Sequence, residues 1–268
     1  MSGSVWMDTI SAIFNFIDKT FVIAEIEIRK LRHDYFELIT RSIQPILWLL
    51  ILGQVFNRTH AIPTGNLSYI SYLAPGILAQ SVLFVVIFFG IAIIWERDLG
   101  ILHKFLVSPT PRAALVLGKA LSAGVRGLSQ AVIIYIISLL LGVQMNWHIP
   151  ALAVMLAVVI LGSGLFATFS LIVACIVKTR DRFMGIGQIL TMPLFFASNA
   201  LYPISMMPHW LQFFSHINPL TYEVDALRAL MVNGAVSAYG VGMDVVILLI
   251  SITLLVGIGA WMYPRVVI

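Results

Sequence analysis

Seven charged or titratable side chains lie between Trp95 and Lys119: Glu96, Arg97, Asp98, His103, Lys104, Arg112 and Lys119. Charged residues make up only 10% of the chain. Charge of both signs gathered between two long apolar runs suits recognition of an aqueous, charged partner surface. It does not suit covalent chemistry. No H-E-x-x-H pair occurs, and the six histidines have no metal-ligand spacing. Gly118-Lys119 is followed by Ala120 and lacks the upstream glycine of a phosphate loop, so this chain is not expected to hold ATP in that manner. There is no G-x-S-x-G turn, and Ser163 between Gly162 and Gly164 reads as a packing notch. The sequence assigns no catalytic residue, metal or bound cofactor, and the chain is not expected to be an enzyme.

Four further polar residues sit in or beside apolar runs. Glu37 and Arg41 are spaced i, i+4 and can pair on one helix face, with Gln44 one turn beyond. They form either an interfacial ion pair or part of a polar path. Arg126 lies about two turns beyond Lys119, where it either snorkels or pairs with a carboxylate of a neighbouring helix.

The elements that carry these residues are dictated by composition. Hydrophobic residues are 60% of 268 and the mean hydropathy is +0.99, which excludes an ordinary soluble domain. A membrane helix needs ~20 mostly apolar residues. Six such runs occur, at 36–56, 72–94, 114–141, 151–177, 183–202 and 241–263. They leave no room for a separate soluble domain of ~100 residues. The expected fold is an all-α integral membrane protein with six transmembrane helices. Residues 1–35 would form an N-terminal cytoplasmic or interfacial helix and residues 36–268 the six-span domain.

Basic residues orient that bundle. With both termini cytoplasmic, the inner side receives Lys19, Arg29, Lys30, Arg32, Arg97, Lys104, Arg112, Lys119, Lys178, Arg180, Arg182 and Arg265, and the outer side only Arg58 and Arg228. Twelve against two favours this topology over its inverse. The net charge of +4 is therefore an orientation signal, with no nucleic-acid partner implied. No cleaved signal peptide is expected from MSGSVWMDTISAIF, which lacks a basic n-region.

Near the start, Phe14, Ile17, Phe21, Ala24, Ile28, Leu31 and Tyr35 recur at helical spacing and predict a helix lying in the inner interface. Val22, Ile23 and Ile26 fall off that stripe, and the alternation EIEIR also suits a strand. In the charged block, Leu99, Leu102, Phe105 and Leu106 make an apolar stripe that Pro109 and Pro111 terminate. That short helix either meets a partner or lies on the membrane surface. From Tyr202 to Val241, Pro203, Pro208 and Pro219 break the chain into pieces too short to span. Two short helices that dip from the outer face and return are predicted there. Trp210, Phe213, Phe214, Tyr222 and Tyr239 are then interface anchors or an outer gate.

Taken together, these features resemble the type-2 ABC exporter permeases. The family's pattern E-R-x-x-G-x-L-x-x-x-L-x-x-P is met by Glu96, Arg97, Gly100, Leu102, Leu106 and Pro109, and its late signature P-L-x-Y-x5-R by Pro219, Leu220, Tyr222 and Arg228. QPILWLLILGQVF at Gln44–Phe56 and YLAPGILAQ at Tyr72–Gln80 are further echoes, so the likeness covers nearly all of the chain after Tyr35. The resemblance implies a half-transporter of the cytoplasmic membrane. Two permeases, alike or different, would pair with two copies of a separately encoded ATPase that holds ATP and Mg. Glu96 to Arg112 would form the coupling helix that docks on that ATPase. The hairpin carrying Pro203, Pro219, Tyr222 and Arg228 would close the outer end of the pathway. Cargo similar to that of the drug-resistance permeases would be hydrophobic or amphipathic, drug- or lipid-like. The alternative is a polysaccharide or lipid-linked glycan. An intramembrane enzyme is a lesser possibility, since the spans hold no His and their carboxylates lie at the edges, and a passive channel would not explain the charged block.

Overall fold

In the computed structural model, residues 17–26, 29, 35–59, 62–65, 67–100, 111–177 and 179–263 are described. Nine α-helices of the described residues are named here in chain order: α1 (Tyr35–Thr59), α2 (Tyr69–Ile87), α3 (Phe89–Asp98), α4 (Arg112–Leu140), α5 (Ile149–Ile176), α6 (Arg180–Phe196), α7 (His209–Ile217), α8 (Pro219–Met231) and α9 (Val241–Met262). A 3-10 turn, Ile204–Met206, lies between α6 and α7. Residues 17–26 are also helical.

Among the described residues, four helical stretches are long and apolar enough to cross a membrane: Tyr69–Asp98, Arg112–Leu140, Ile149–Ile176 and Val241–Met262. The fifth expected run, 183–202, yields only the 17 residues of α6, after which turns occupy 197–203. α1 is 25 residues long but opens with polar residues around Thr40 and Gln44. The structure thus supports a multi-pass membrane bundle, while the count of six rests on the sequence.

The α2–α3 rod runs through the middle of the bundle, and nearly every residue of α2 is buried. At Phe88 its helical ladder is interrupted. Ser170 of α5 fills the gap. Its Oγ donates to Ile87 O and accepts from Gly90 N at 2.9 Å, so a side chain replaces a missing rung. Gln130 of α4 is a second buried polar tie. Its Oε1 accepts from Ser42 Oγ of α1 (2.8 Å) and Ser81 Oγ of α2 (2.6 Å), joining three helices inside the core. Where neighbours meet most closely the sequence supplies glycine. A Cβ on Gly76 would lie 2.5 Å from Ala200 O, a backbone atom that cannot turn away.

The buried face of the N-terminal helical segment differs from the expected stripe. Thr20, Ile23 and Ala24 are buried, whereas Ile17 and Phe21 are exposed. Ile23 packs where α4 offers Gly118, whose added Cβ would lie 2.7 Å from it. Periodicity could not choose between two apolar faces, and the gap at Gly118 selected the one that fits. Phe14, Leu31 and the 27–28 pair lie outside the described residues, and of Tyr35 only the backbone is described.

Candidate functional site

Two polar constellations sit at opposite ends of the rod. From Tyr72 to Glu96 is 24 residues, about 36 Å at ~1.5 Å per residue, comparable to a bilayer.

At one end, Glu96 is the last buried residue of α3, and its Oε2 accepts from Lys119 Nζ of α4 at 2.6 Å. Both side chains are nearly sealed, 8% and 3% exposed. Lys119 Nζ also stands 5.6 Å from the centre of the Phe89 ring, and the Arg126 guanidinium 5.5 Å from the same ring. Two residues further along, Asp98 gathers Arg97 and Arg180, each at 2.9 Å, and Arg180 stacks 3.4 Å over Trp95. The end of α3 is thereby fastened to the start of α6. α3 stops at Asp98, and Gly100 adopts φ +70°, a left-handed conformation that glycine takes without penalty. Arg112, exposed, begins α4. Leu102, Leu106 and Pro109 lie outside the described residues, as do the side chains of Glu37 and Arg41. Gln44 is exposed and lines a shallow cavity with Gln80 and Phe84.

At the other end, the two short helices α7 and α8 meet at Asn218. Its side chain caps α8 by accepting from Leu220 N (3.0 Å) and donates to Leu194 O of α6 (2.6 Å). Pro219 occupies the first turn of α8, where its missing N–H leaves nothing unpaired. Tyr222 donates to His216 O at 2.7 Å and thereby fastens α8 back onto α7. Arg228 is buried. Its Nε donates to Tyr72 O (3.3 Å), its Nη2 donates to Asn199 O (2.8 Å), and its guanidinium lies 3.8 Å over the Tyr72 ring. Tyr72 adds a hydroxyl bond to Asn199 O at 3.0 Å. Pro203 precedes the 3-10 turn and lines the same cavity as Arg228.

Asp225 and Glu223, beside Arg228 on α8, were not among the residues the sequence pattern singled out. Asp225 Oδ2 accepts from Ser237 Oγ (2.8 Å), Ala238 N (2.7 Å) and Tyr239 N (3.2 Å), which pins the loop before α9. Tyr239 bonds His216 Nδ1 at 2.9 Å, and burial, followed by Tyr222, Asp225 and Asp244 nearby, raises its phenol above the ordinary value. Glu223 is fully buried against Gly162 of α5, where an added Cβ would collide with its carboxyl. The string YEVD at 222–225 held the signal, since charges inside a membrane chain need partners. Among the described residues no group of three or more His, Cys, Asp or Glu could hold a metal ion.

An apolar cavity of about 690 Å3 opens between α5, α6 and α7, lined by Phe169, Leu190, Leu194, Phe196, Trp210 and Phe214 among others.

The family described as ABC-2 type transporter matches residues 18–232, which takes in Glu96, Lys119 and Arg228. The chain belongs to the ABC-2 type transporter family. It is 29% identical over 219 residues to a putative transport permease, ycf38, of Cyanophora paradoxa, covering 81% of this chain and 75% of that one. Against the daunorubicin resistance ABC transporter permease protein DrrB1 of Streptomyces coeruleorubidus the identity is 24%, over 79% of this chain and 74% of the other. A probable doxorubicin resistance ABC transporter permease protein, DrrC, of Mycobacterium tuberculosis is 26% identical, with 78% and 75% covered. As a member of this family the chain is a transport permease subunit.

Proposed function

We propose that this chain is the membrane subunit of an ATP-driven exporter for a hydrophobic or amphipathic molecule, powered by a separate ATPase chain. The observation that carries the reading is the family match spanning both polar ends of one central rod. In this reading Glu96 to Arg112 docks on the ATPase. Glu96, locked to Lys119, passes the displacement into α3 and α4, and the rod carries it toward α7 and α8. Arg112 supports the docking role, because a cation at the positive end of a helix opposes the helix dipole by ~0.3–1 kcal/mol and gains from an acidic partner. Two permease copies and two ATPase copies complete the machine, with ATP and Mg held on the ATPase. Both termini face the cytoplasm, six helices cross the cytoplasmic membrane, and α7–α8 close the far end of the pathway.

Two observations support an apolar cargo over a glycan. Relatives are named for daunorubicin and doxorubicin resistance. The cavity between α5, α6 and α7 is walled almost entirely by apolar side chains.

The test is co-purification of the tagged permease from native membranes with mass spectrometry of its partners, followed by ATP-driven export from inverted vesicles. Wild type is expected to retain an ATPase subunit. Arg112→Glu, at an exposed position, and Gly100→Pro are expected to lose it while inserting normally. Permease recovered alone, with ATP present and under mild detergent, would sink the reading.

A further inference from the structure

Export through the bundle leaves one feature unused, the polar cavity above α8. It measures about 510 Å3 and is walled by Thr64 and Leu67, by Asn199 and Ser205, and by the loop from Gly234 to Tyr239. Arg228 and Asp225 both line it. They stand one turn apart on α8, 5% and 2% exposed, close enough on one face to interact. They do not pair with each other.

Each is instead held from behind. Arg228 spends Nε and Nη2 on the Tyr72 and Asn199 carbonyls, and among the described residues its Nη1 has no hydrogen-bond partner. Asp225 spends Oδ2 on Ser237, Ala238 and Tyr239, and its Oδ1 is likewise without one. Asn199, also 5% exposed, has a side-chain oxygen with no partner among the described residues. The cavity therefore combines one unspent cationic donor with one unspent carboxylate acceptor, while the Asn199 oxygen is enclosed. Neither Arg228 Nη1 nor Asp225 Oδ1 is among the enclosed unpartnered atoms, so both reach the cavity, where a bound group can complete their hydrogen bonds.

We propose that this cavity binds the zwitterionic headgroup of an amino-phospholipid, a phosphate and a primary ammonium joined by a short linker. The phosphate accepts from Arg228 Nη1. The ammonium donates to Asp225 Oδ1, with the Tyr239 ring beside it. A purely anionic headgroup satisfies Arg228 but meets the Asp225 carboxylate. A zwitterion satisfies both and keeps the site neutral. A lipid source follows from the surroundings: the cavity lies at the Tyr72 end of a membrane-length rod, and Val236 on its wall is 83% exposed, an apolar rim against which acyl chain can lie.

The full chain, purified in detergent, is exposed to phosphatidylethanolamine or phosphatidylglycerol of identical acyl chains and read by native mass spectrometry. Retention of phosphatidylethanolamine is expected to exceed that of phosphatidylglycerol about tenfold. Ser205→Trp and Val236→Trp, both at exposed wall positions, are expected to abolish the preference without changing the melting temperature. Equal retention of the two lipids, or a preference that survives both substitutions, overturns the proposal. Soluble glycerophosphoethanolamine distinguishes the sources, since competition as strong as that of the intact lipid assigns the cavity to a free zwitterion and overturns the lipid. No ATPase or transport enters the readout, so this inference and the export reading fail separately.

Discussion

The two ends of the α2–α3 rod solve the problem of buried charge in different ways. At Glu96 a charge meets a charge, side chain to side chain, across two helices. At Arg228 a charge meets backbone carbonyls from two distant segments and an aromatic face. A side-chain ion pair joins two rigid helices and can transmit a displacement between them. A guanidinium clamped on carbonyls fixes how loops and short helices are folded. The first arrangement suits a moving joint and the second a fixed closure.

Four measurements would break or sharpen that contrast, each read as thermal or denaturant unfolding of the purified protein. Lys119→Met leaves the Glu96 carboxylate buried without its ammonium and is expected to destabilise by about 3–5 kcal/mol. Adding Glu96→Gln to it is expected to recover most of the loss, and a double mutant no more stable than the single would remove the ion pair from the account. Arg228→Gln is expected to lose about 2–3 kcal/mol, because two charge-assisted hydrogen bonds and the stacking on Tyr72 are lost. In contrast to Lys119, no single second substitution should restore it, so a rescuing partner would erase the difference between the two ends. Asn218→Ala, which removes the cap of α8 and the bond to Leu194 O, should cost about 1–2 kcal/mol. Tyr222→Phe removes one hydroxyl bond to His216 O and is expected to cost about 1 kcal/mol, the least of the four.

How much of this could be foreseen depends on how far apart in sequence the partners lie. Helices α4, α5 and α9 were legible to within two residues, because runs of ~20 apolar residues leave the backbone no other way to satisfy itself in lipid. Glu96 and Arg228 were legible as charges in a chain that avoids charge. Their partners were not. Lys119 is 23 residues from Glu96, and Asn199 is 29 from Arg228, separations on which periodicity is silent. Gln130, which joins Ser42 and Ser81, looked like any polar residue in a long helix. The face of the segment at 17–26 was misjudged for a related reason, since hydrophobicity alone does not reveal that Gly118 has left a space for Ile23. The shortening of α6 to Phe196 has a local signal in Ser198-Asn199, turn-forming residues that a hydropathy average does not register.

Ser170 has a mechanical implication. The rod is broken at Phe88, and the rung that spans the break belongs to α5. A continuous helix would behave as one stiff strut, so that a push at Glu96 arrived at Tyr72 undiminished. With a neighbour's hydroxyl holding the joint, α3 cannot pivot on α2 unless α5 moves or lets go. The load is shared between two members before it reaches the far end, and the Ser170 hydroxyl is one of the points where they join.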